Sequence, residues 1–269
     1  MVKIISTPIG NFGDITLNAL EALQNADVIL CEDTRKTDIL LKHHGILGKK
    51  LLIYNEHTTE KELDYFLTLA KTKAVAIVSD AGTPLICDPG LSIITKARKN
   101  GIKIEIHGGV CSLIIGATLC GINIQNMLFL GFFGEKTTIK TPQTEILYSY
   151  FVAPHDISKL LKSLENFTNF DVSIKIGKDL TKIYQEYWAF GVGEALAHFQ
   201  TNEPKGEFVF FLQFTQNKKQ NLEEELNKIL KTLPNWQTLG KKDLATFIHT
   251  NCQSLQSFTV KEIYNLLIK

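Results

Sequence analysis

The stretch that decides the fold is residues 75–90, V-A-I-V-S-D-A-G-T-P-L-I-C-D-P-G. It continues a short apolar run, 74–78, which has the length of a strand buried on both faces. A loop with two glycines and two prolines follows, and 91–99 predicts a helix that stops before Asn100-Gly101. Strand, rigid loop and helix in this order place a ligand at the carboxyl end of a parallel strand. A βα turn without a ligand is the alternative interpretation.

The same loop has no lysine, and this makes it a poor cradle for phosphate groups. Its glycine at position 82 lets a ligand approach the backbone closely. The loop is therefore better suited to a small, charge-balanced cofactor than to a nucleotide triphosphate.

The composition is that of an ordinary globular protein. The chain has 269 residues, 44% of them apolar and 21% charged, with a formal net charge of +1. This charge gives no global attraction to nucleic acid or membranes, although a local basic patch suffices for RNA. Five cysteines without a C-x-x-C pair indicate reduced thiols. Without a signal-like start or a membrane-spanning run, we expect a cytoplasmic protein that contacts no membrane.

Strands and helices alternate through the first half of the chain, which predicts a parallel α/β sheet. Polar residues follow each predicted strand, and in a parallel sheet these positions meet at one edge. We therefore expect a single cleft formed by residues 7–11, 32–35, 55–57, 79–83 and 108–112.

The second half of the sequence has a different pattern of predicted strands and helices. It predicts strands at 126–133, 146–152, 171–176 and 208–214, with helices at 157–166 and 192–199, which is mixed α/β. From residue 217 onward the sequence is helical and ends in two short amphipathic helices. The predicted organisation has three parts: an N-terminal α/β domain with the substrate cleft at 1–122, a second α/β domain at 123–216, and a small helical domain at 217–269.

Several nucleotide, hydrolase and metal signatures are missing. The sequence has no G-x-x-x-x-G-K-[ST], no strand-linked G-x-G-x-x-G, no G-x-S-x-G and no H-E-x-x-H. A P-loop NTPase, a dinucleotide-binding site, an α/β-hydrolase and a zinc peptidase are thereby disfavoured. The seven histidines are dispersed, and no metal site is predicted.

Three motifs follow one another in the first third of the chain: T-P-I-G-N-F-G-D-I-T-L-N-A-L at 7–20, C-E-D-T-R-K-T at 31–37 and S-D-A-G-T-P-L-I-C-D-P-G at 79–90. Together they resemble the tetrapyrrole-methylase superfamily, in its branch that methylates small-subunit ribosomal RNA. Weaker similarity continues at 129–132, 179–186 and 206–209. The resemblance implies the two-domain tetrapyrrole-methylase-like fold with a small helical C-terminal appendage.

The resemblance also implies an activity. Members of this branch use S-adenosylmethionine to methylate the ribose 2′-hydroxyl of a cytidine in the decoding region of 16S rRNA. The implied partners are 16S rRNA in the small ribosomal subunit and a second copy of the chain in a homodimer. The implied cofactor-binding residues are Pro8, Asp80, Ala81, Gly82, Thr83, Gly109 and Ser112 on one wall, and Leu130, Pro154, Leu180 and Gly206 on the other.

The catalytic prediction falls on Glu32, Asp33 and Arg35. Methyl transfer from a sulfonium to a ribose hydroxyl needs collinear reacting atoms and a group that removes the hydroxyl proton. Glu32, Asp33 or Asp80 can serve as that base, and Arg35 can hold a phosphate or orient a carboxylate. The alternatives are that Asp33 only caps a helix and that Asp80 only braces its loop.

Two other functions stay open at this point. The chain can be a superfamily relative that methylates a small tetrapyrrole, although the C-terminal helices and C-E-D-T-R-K-T argue against this. It can also be a decayed homologue that binds RNA without turnover. That alternative is motivated by departures from the family pattern at 108–112, 134–136 and 151–156, where the family usually has P-G-P-S-A, a basic segment and Y-E-S-P-H-R.

Overall fold

Two five-stranded sheets and a C-terminal group of helices make up the protein. The computed structural model describes residues 1–233, 236–255 and 258–268. The first sheet has the order β3-β2-β4-β1-β5, and every pair in it is parallel. Its strands are β1 (Val2–Ile5), β2 (Val28–Cys31), β3 (Lys50–Ile53), β4 (Val75–Ile77) and β5 (Ile104–His107).

The apolar run predicted as a buried strand is β4, at the centre of this sheet. Its neighbours are β1 and β2, and all three of its residues are buried. Crossover helices cover both faces of the sheet, which is why the run is apolar throughout. These helices are α1 (Leu17–Gln24), α2 (Thr34–His43), α3 (Glu60–Thr72) and α4 (Leu91–Lys99).

The second sheet is mixed, with the order β6-β7-β10-β8-β9. Only β6 and β7 pair in parallel; the other neighbours are antiparallel. One face packs on two helices and the other face on α5. The elements are α5 (Ser112–Leu119), β6 (Met127–Phe132), β7 (Leu147–Val152), α6 (Ile157–Leu164), β8 (Phe170–Lys178), β9 (Glu186–Gly191), α7 (Val192–Thr201) and β10 (Phe208–Gln216).

Strand β9 is the element that the sequence prediction missed. It is an edge strand of the second sheet, and α7 begins directly after it, with Gly191 as the N-cap. A strand that has only one neighbour and runs into a helix gives a weak periodic signal.

The C-terminal segment is helical and has its own core. Its helices are α8 (Lys218–Thr232), α9 (Lys241–Asn251) and α10 (Val260–Leu267). Leu244, Ile248 and Ile263 are fully buried within this core. Residues 234–235, 256–257 and 269 of the predicted helical segment lie outside the described residues. No described helix has both the length and the apolar composition of a membrane span.

The predicted fold class is therefore confirmed: a parallel α/β sheet, then a mixed α/β part and a small helical end.

Candidate functional site

A cavity of about 370 Å³ lies between the carboxyl edge of the first sheet and one face of the second. The first sheet contributes the loops after β1, β2, β4 and β5. The second contributes the ends of β7 and β8 and the start of β10. The carboxyl edge of a parallel sheet is the usual position for a ligand site.

The loop after β4 is held rigidly against the loop after β1. The backbone amide of Thr7 donates to the Gly82 carbonyl at 2.8 Å, and the Gly82 amide donates back to the Thr7 carbonyl at 3.1 Å. The Thr7 hydroxyl also donates to the Ser79 carbonyl at 3.1 Å. Gly82 has φ +80°, and a Cβ there would lie 3.1 Å from Ile9 Cγ2. The site therefore needs glycine at this position.

The remainder of that loop is strained. Leu85 and Cys87 have φ values of 73° and 63°, in the left-handed region that non-glycine residues rarely adopt. A Cβ on Gly90 would lie 2.8 Å from Leu85 Cγ. Strain of this kind persists only where the surrounding structure fixes it, and it clusters at binding sites.

The opposite wall contains a second strained loop, residues 179–182. Asp179 and Thr181 have φ values of 48° and 64°. Lys182 Nζ pairs with Asp179 Oδ1 at 3.1 Å and with Glu207 Oε2 at 2.9 Å. The stem of Lys182 lies over Gly10, where any Cβ would collide with it. Lys182 thus joins the second sheet to the loop after β1.

The charged residues that line the described cavity are all acidic: Glu32, Asp80, Asp88 and Glu207. Burial raises the pKa of Glu32 above its usual range. Burial, and then the nearby charge of Glu32, raises the pKa of Asp88 to about 6. An acidic, partly apolar cavity favours a ligand that carries positive charge.

Two basic residues, Lys36 and Arg35, form ion pairs with acids of the site but do not line the cavity themselves. Lys36 Nζ lies 2.8 Å from Asp80 Oδ2, and this contact raises the pKa of Lys36. Asp80 Oδ1 also accepts from the Asp33 amide at 3.1 Å, so Asp80 joins the start of α2 to the loop after β4.

Asp33 is the N-cap of α2, and its Oδ1 accepts from the Arg35 amide at 2.9 Å. The Arg35 guanidinium donates to both carboxylate oxygens, at 3.0 and 2.7 Å, and holds the pKa of Asp33 down at about 2. Arg35 itself is exposed. Asp33 is thus a strongly ionised cap and a poor proton acceptor.

The structure brings most of the predicted catalytic and cofactor-binding residues together at the cavity. Those that line it are Glu32, Asp80, Ala81, Gly82, Thr83, Ser112, Pro154, Leu180 and Gly206. Those that do not line it are Asp33, Arg35, Pro8, Gly109 and Leu130. Pro8 is buried, a Cβ on Gly109 would lie 2.7 Å from Ser6 Cβ, and Leu130 packs on the core of the second sheet. The segment 55–57 also stays away from the cavity, because β3 is an edge strand.

Sequence reasoning missed five lining residues that carry charge or aromatic surface: Asp88, Glu207, Phe132, Phe151 and Phe208. Asp88 lies within the decisive stretch, so its acid was visible there. Phe132 and Phe151 belong to neighbouring strands, and their ring centroids are 5.6 Å apart. Only the pairing of β6 with β7 brings these two rings together, and no local pattern reveals it.

No group of three or more potential metal ligands occurs in the part of the chain that the structure describes.

Comparisons with known proteins agree on the family. The model of the Tetrapyrrole (Corrin/Porphyrin) Methylases matches residues 1–188. Ribosomal RNA small subunit methyltransferase I of Rickettsia prowazekii is 36% identical, over 99% of this chain and 95% of its own length. Relatives with the same name from other bacteria, Thermotoga maritima among them, are 32–35% identical.

Solved structures show the same fold at low identity. Diphthine synthase has a TM-score of 0.62 and 15% identity, covering 80% of this chain and 91% of its own. Uroporphyrin-III C-methyltransferase of Thermus thermophilus, in complex with S-adenosylhomocysteine, has a TM-score of 0.56 and 15% identity, covering 78% and 96%. By these matches the chain belongs to the tetrapyrrole (corrin/porphyrin) methylase family and, within it, to the group of ribosomal RNA small subunit methyltransferase I.

Proposed function

We propose that this protein is an S-adenosylmethionine-dependent methyltransferase that modifies the ribose 2′-hydroxyl of a cytidine in the decoding region of 16S rRNA. The observation that carries the proposal is the acidic cavity between the two sheets, in a chain whose curated relatives are named for methylation of small-subunit rRNA. The Thermus thermophilus neighbour, with its bound S-adenosylhomocysteine, supports the choice of cofactor.

The residues at the cavity fit this cofactor. S-adenosylmethionine carries a sulfonium and an ammonium group, and the acidic lining complements both. The volume of about 370 Å³ is within the range of ligand pockets, roughly 300–1,000 Å³. We assign the cofactor to the backbone of Ala81, Gly82 and Thr83, to Ser112 at the start of α5, and to the opposite wall at Pro154, Leu180 and Gly206. When bound, it supplies an electrophilic methyl group on the sulfonium.

The protein's own contribution is position and charge. The fixed loops hold the reacting groups in line. Alignment of this kind removes a large part of the activation free energy of a bimolecular transfer. Arg35 is exposed beside the cavity and presents a planar guanidinium that suits a phosphate of the RNA backbone. Glu32 lines the cavity, and we assign it to the substrate side of the site.

The proposal includes an organisation of the chain into an N-terminal domain at 1–122, a second domain at 123–216 and a helical domain at 217–269. The separate core of the C-terminal helices supports the last boundary. It also includes a homodimer that acts in the cytoplasm on the small ribosomal subunit.

The test is incorporation of tritiated methyl groups from S-adenosylmethionine into small ribosomal subunits that lack decoding-region modifications. The parent protein should label the rRNA, whereas Glu32→Ala and Arg35→Ala should lose most of the incorporation. Cofactor binding, measured by calorimetry, should persist in Arg35→Ala because Arg35 lies outside the cavity. Binding without incorporation by the parent would favour the decayed homologue, and labelling of a porphyrinogen would favour a small-molecule methylase.

A further inference from the structure

We propose that Asp88 is the catalytic base of this methyl transfer and that Glu32 is the positioning residue that tunes it. The inference rests on the proposed function, since a ribose hydroxyl is a weak nucleophile that must lose its proton.

The first support is that Asp88 is held in place. It lies in the cavity wall directly after Cys87, which is in the left-handed region, and two residues before Gly90, whose φ is +148°. Gly90 packs so closely on Leu85 that no side chain fits there. A carboxylate on such a loop is presented in one position, as catalysis requires.

The second support is that other acids at the site are engaged elsewhere. Asp33 caps α2 and is held by Arg35 outside the cavity. Asp80 is paired with Lys36 at 2.8 Å. Glu207 is exposed and paired with Lys182 at 2.9 Å. Among the described residues, Asp88 forms no ion pair with a lysine or arginine.

Glu32 likewise has no lysine or arginine at ion-pair distance within the described part of the chain, but it is tied to the loop backbone. Its Oε1 accepts from the Asp80 amide at 3.3 Å. That bond ties the Glu32 carboxylate to the loop that carries Asp88, and the charge of Glu32 raises the pKa of Asp88. Glu32 therefore sets the electrostatic environment of Asp88.

The environment of Asp88 gives it the properties of a base. Burial is the main cause that raises its pKa to about 6, the charges of Glu32 and Asp80 add to this, and a hydrogen bond with Ser79 opposes it. The wall contributed by the second sheet is apolar near Cys87, where Gly131 and Phe132 pack. A base with a pKa close to the working pH is largely ionised and still accepts a proton readily.

The ribose oxygen forms a bond to the methyl carbon while the carbon–sulfur bond breaks and its electron pair returns to sulfur. Asp88 takes the hydroxyl proton on its carboxylate and later releases it to water.

The first experiment is the pH dependence of kcat on small ribosomal subunits. For the parent protein we expect kcat to rise with pH through a pKa of about 6, because the base must be ionised. Asp88→Asn should lower kcat by about 100-fold or more while calorimetry still detects cofactor binding. Glu32→Gln should move the acid limb of the pH profile of kcat to lower pH, because it removes one of the charges that add to the effect of burial on the pKa of Asp88. Glu203→Gln, at an exposed residue that does not line the cavity, is the matched control and should behave as the parent.

The second experiment does not depend on activity. In protein labelled with ¹³C at aspartate carboxyl groups, the signal that disappears in Asp88→Asn should titrate with a midpoint of about 6 in the parent. The midpoint should fall in Glu32→Gln. If Asp88→Asn does not fold, Asp88→Glu supplies the assignment and the kinetic comparison.

The results separate the two claims. A midpoint near the usual aspartate value of about 4, or transfer by Asp88→Asn within a few-fold of the parent, would overturn the role of Asp88. Absence of methyl transfer by the parent protein would instead overturn the proposed function itself.

Discussion

Asp33 and Asp88 are both acids of strand-end loops, yet their surroundings drive them in opposite directions. Arg35 and a backbone amide stabilise the charged form of Asp33 and lower its pKa to about 2. Burial and the neighbouring Glu32 disfavour the charged form of Asp88 and raise its pKa to about 6. Their surroundings thus make Asp33 a structural helix cap and Asp88 a candidate base.

The lowered pKa of Asp33 predicts a pH-dependent contribution to stability. The stabilisation is complete above the pKa of an unfolded aspartate, about 3.9, and is lost as the pH falls towards about 2. Asp33→Asn should therefore lower Tm at pH 7, and the difference from the parent should shrink steadily below about pH 4. Thermal unfolding followed by circular dichroism measures this, and a difference that is constant with pH would contradict the assignment.

The sequence analysis named Asp33 as a candidate site residue but missed Asp88, and it left the role of Asp33 undecided. Position 33 was open between a base and a helix cap because both need an acid before a helix. The contact with Arg35, two residues away, is local and can be anticipated from the sequence. The raised pKa of Asp88 depends on burial under the second sheet and on Glu32 from another strand, so it follows only from the tertiary structure.

At the scale of elements, two rigid loops frame the cavity. The loop after β4 follows from the sequence, since an apolar strand, four breakers and a helix stop signal lie in one stretch. The loop at 179–182 carried only weak family similarity, and β9 directly beyond it was missed. Its conformation depends on Gly206 and Gly10, which lie far from it in the chain.

The loop at 179–182 gives a prediction about glycine. Gly206 has φ +105°, and a Cβ there would collide with the Asp179 carboxylate. Gly206→Ala should cost about 1–3 kcal/mol of unfolding free energy and weaken binding of S-adenosylhomocysteine, because the loop lines the cavity. Denaturant unfolding and calorimetry measure the two effects.

Gly193→Ala is the matched control for that change. Gly193 is near the start of α7, where an added Cβ meets no atom within 4 Å. This substitution should stabilise the protein by up to about 1 kcal/mol and leave binding unchanged. Equal effects of the two substitutions would contradict the importance of the Gly206–Asp179 contact.

At the scale of the whole molecule, the site exists only where the two sheets meet. The alternation of strands and helices predicts each sheet, but it does not predict which face of the second sheet closes the cavity. That face is decided by α5, which packs against β8 and β10 and has no room for a side chain at Gly116. The lining residues then come from both halves of the chain, between positions 9 and 209.

The central claim is that this cavity methylates the ribose of a cytidine in small-subunit rRNA. The most direct test is mass spectrometry of nucleosides from 16S rRNA after incubation of unmodified small subunits with the protein and S-adenosylmethionine bearing a deuterated methyl group. The account predicts labelled 2′-O-methylcytidine from one decoding-region position, strongly reduced in Asp88→Asn and unchanged in Glu203→Gln. A label on a base, or no label in rRNA from a parent protein that binds the cofactor, would contradict it.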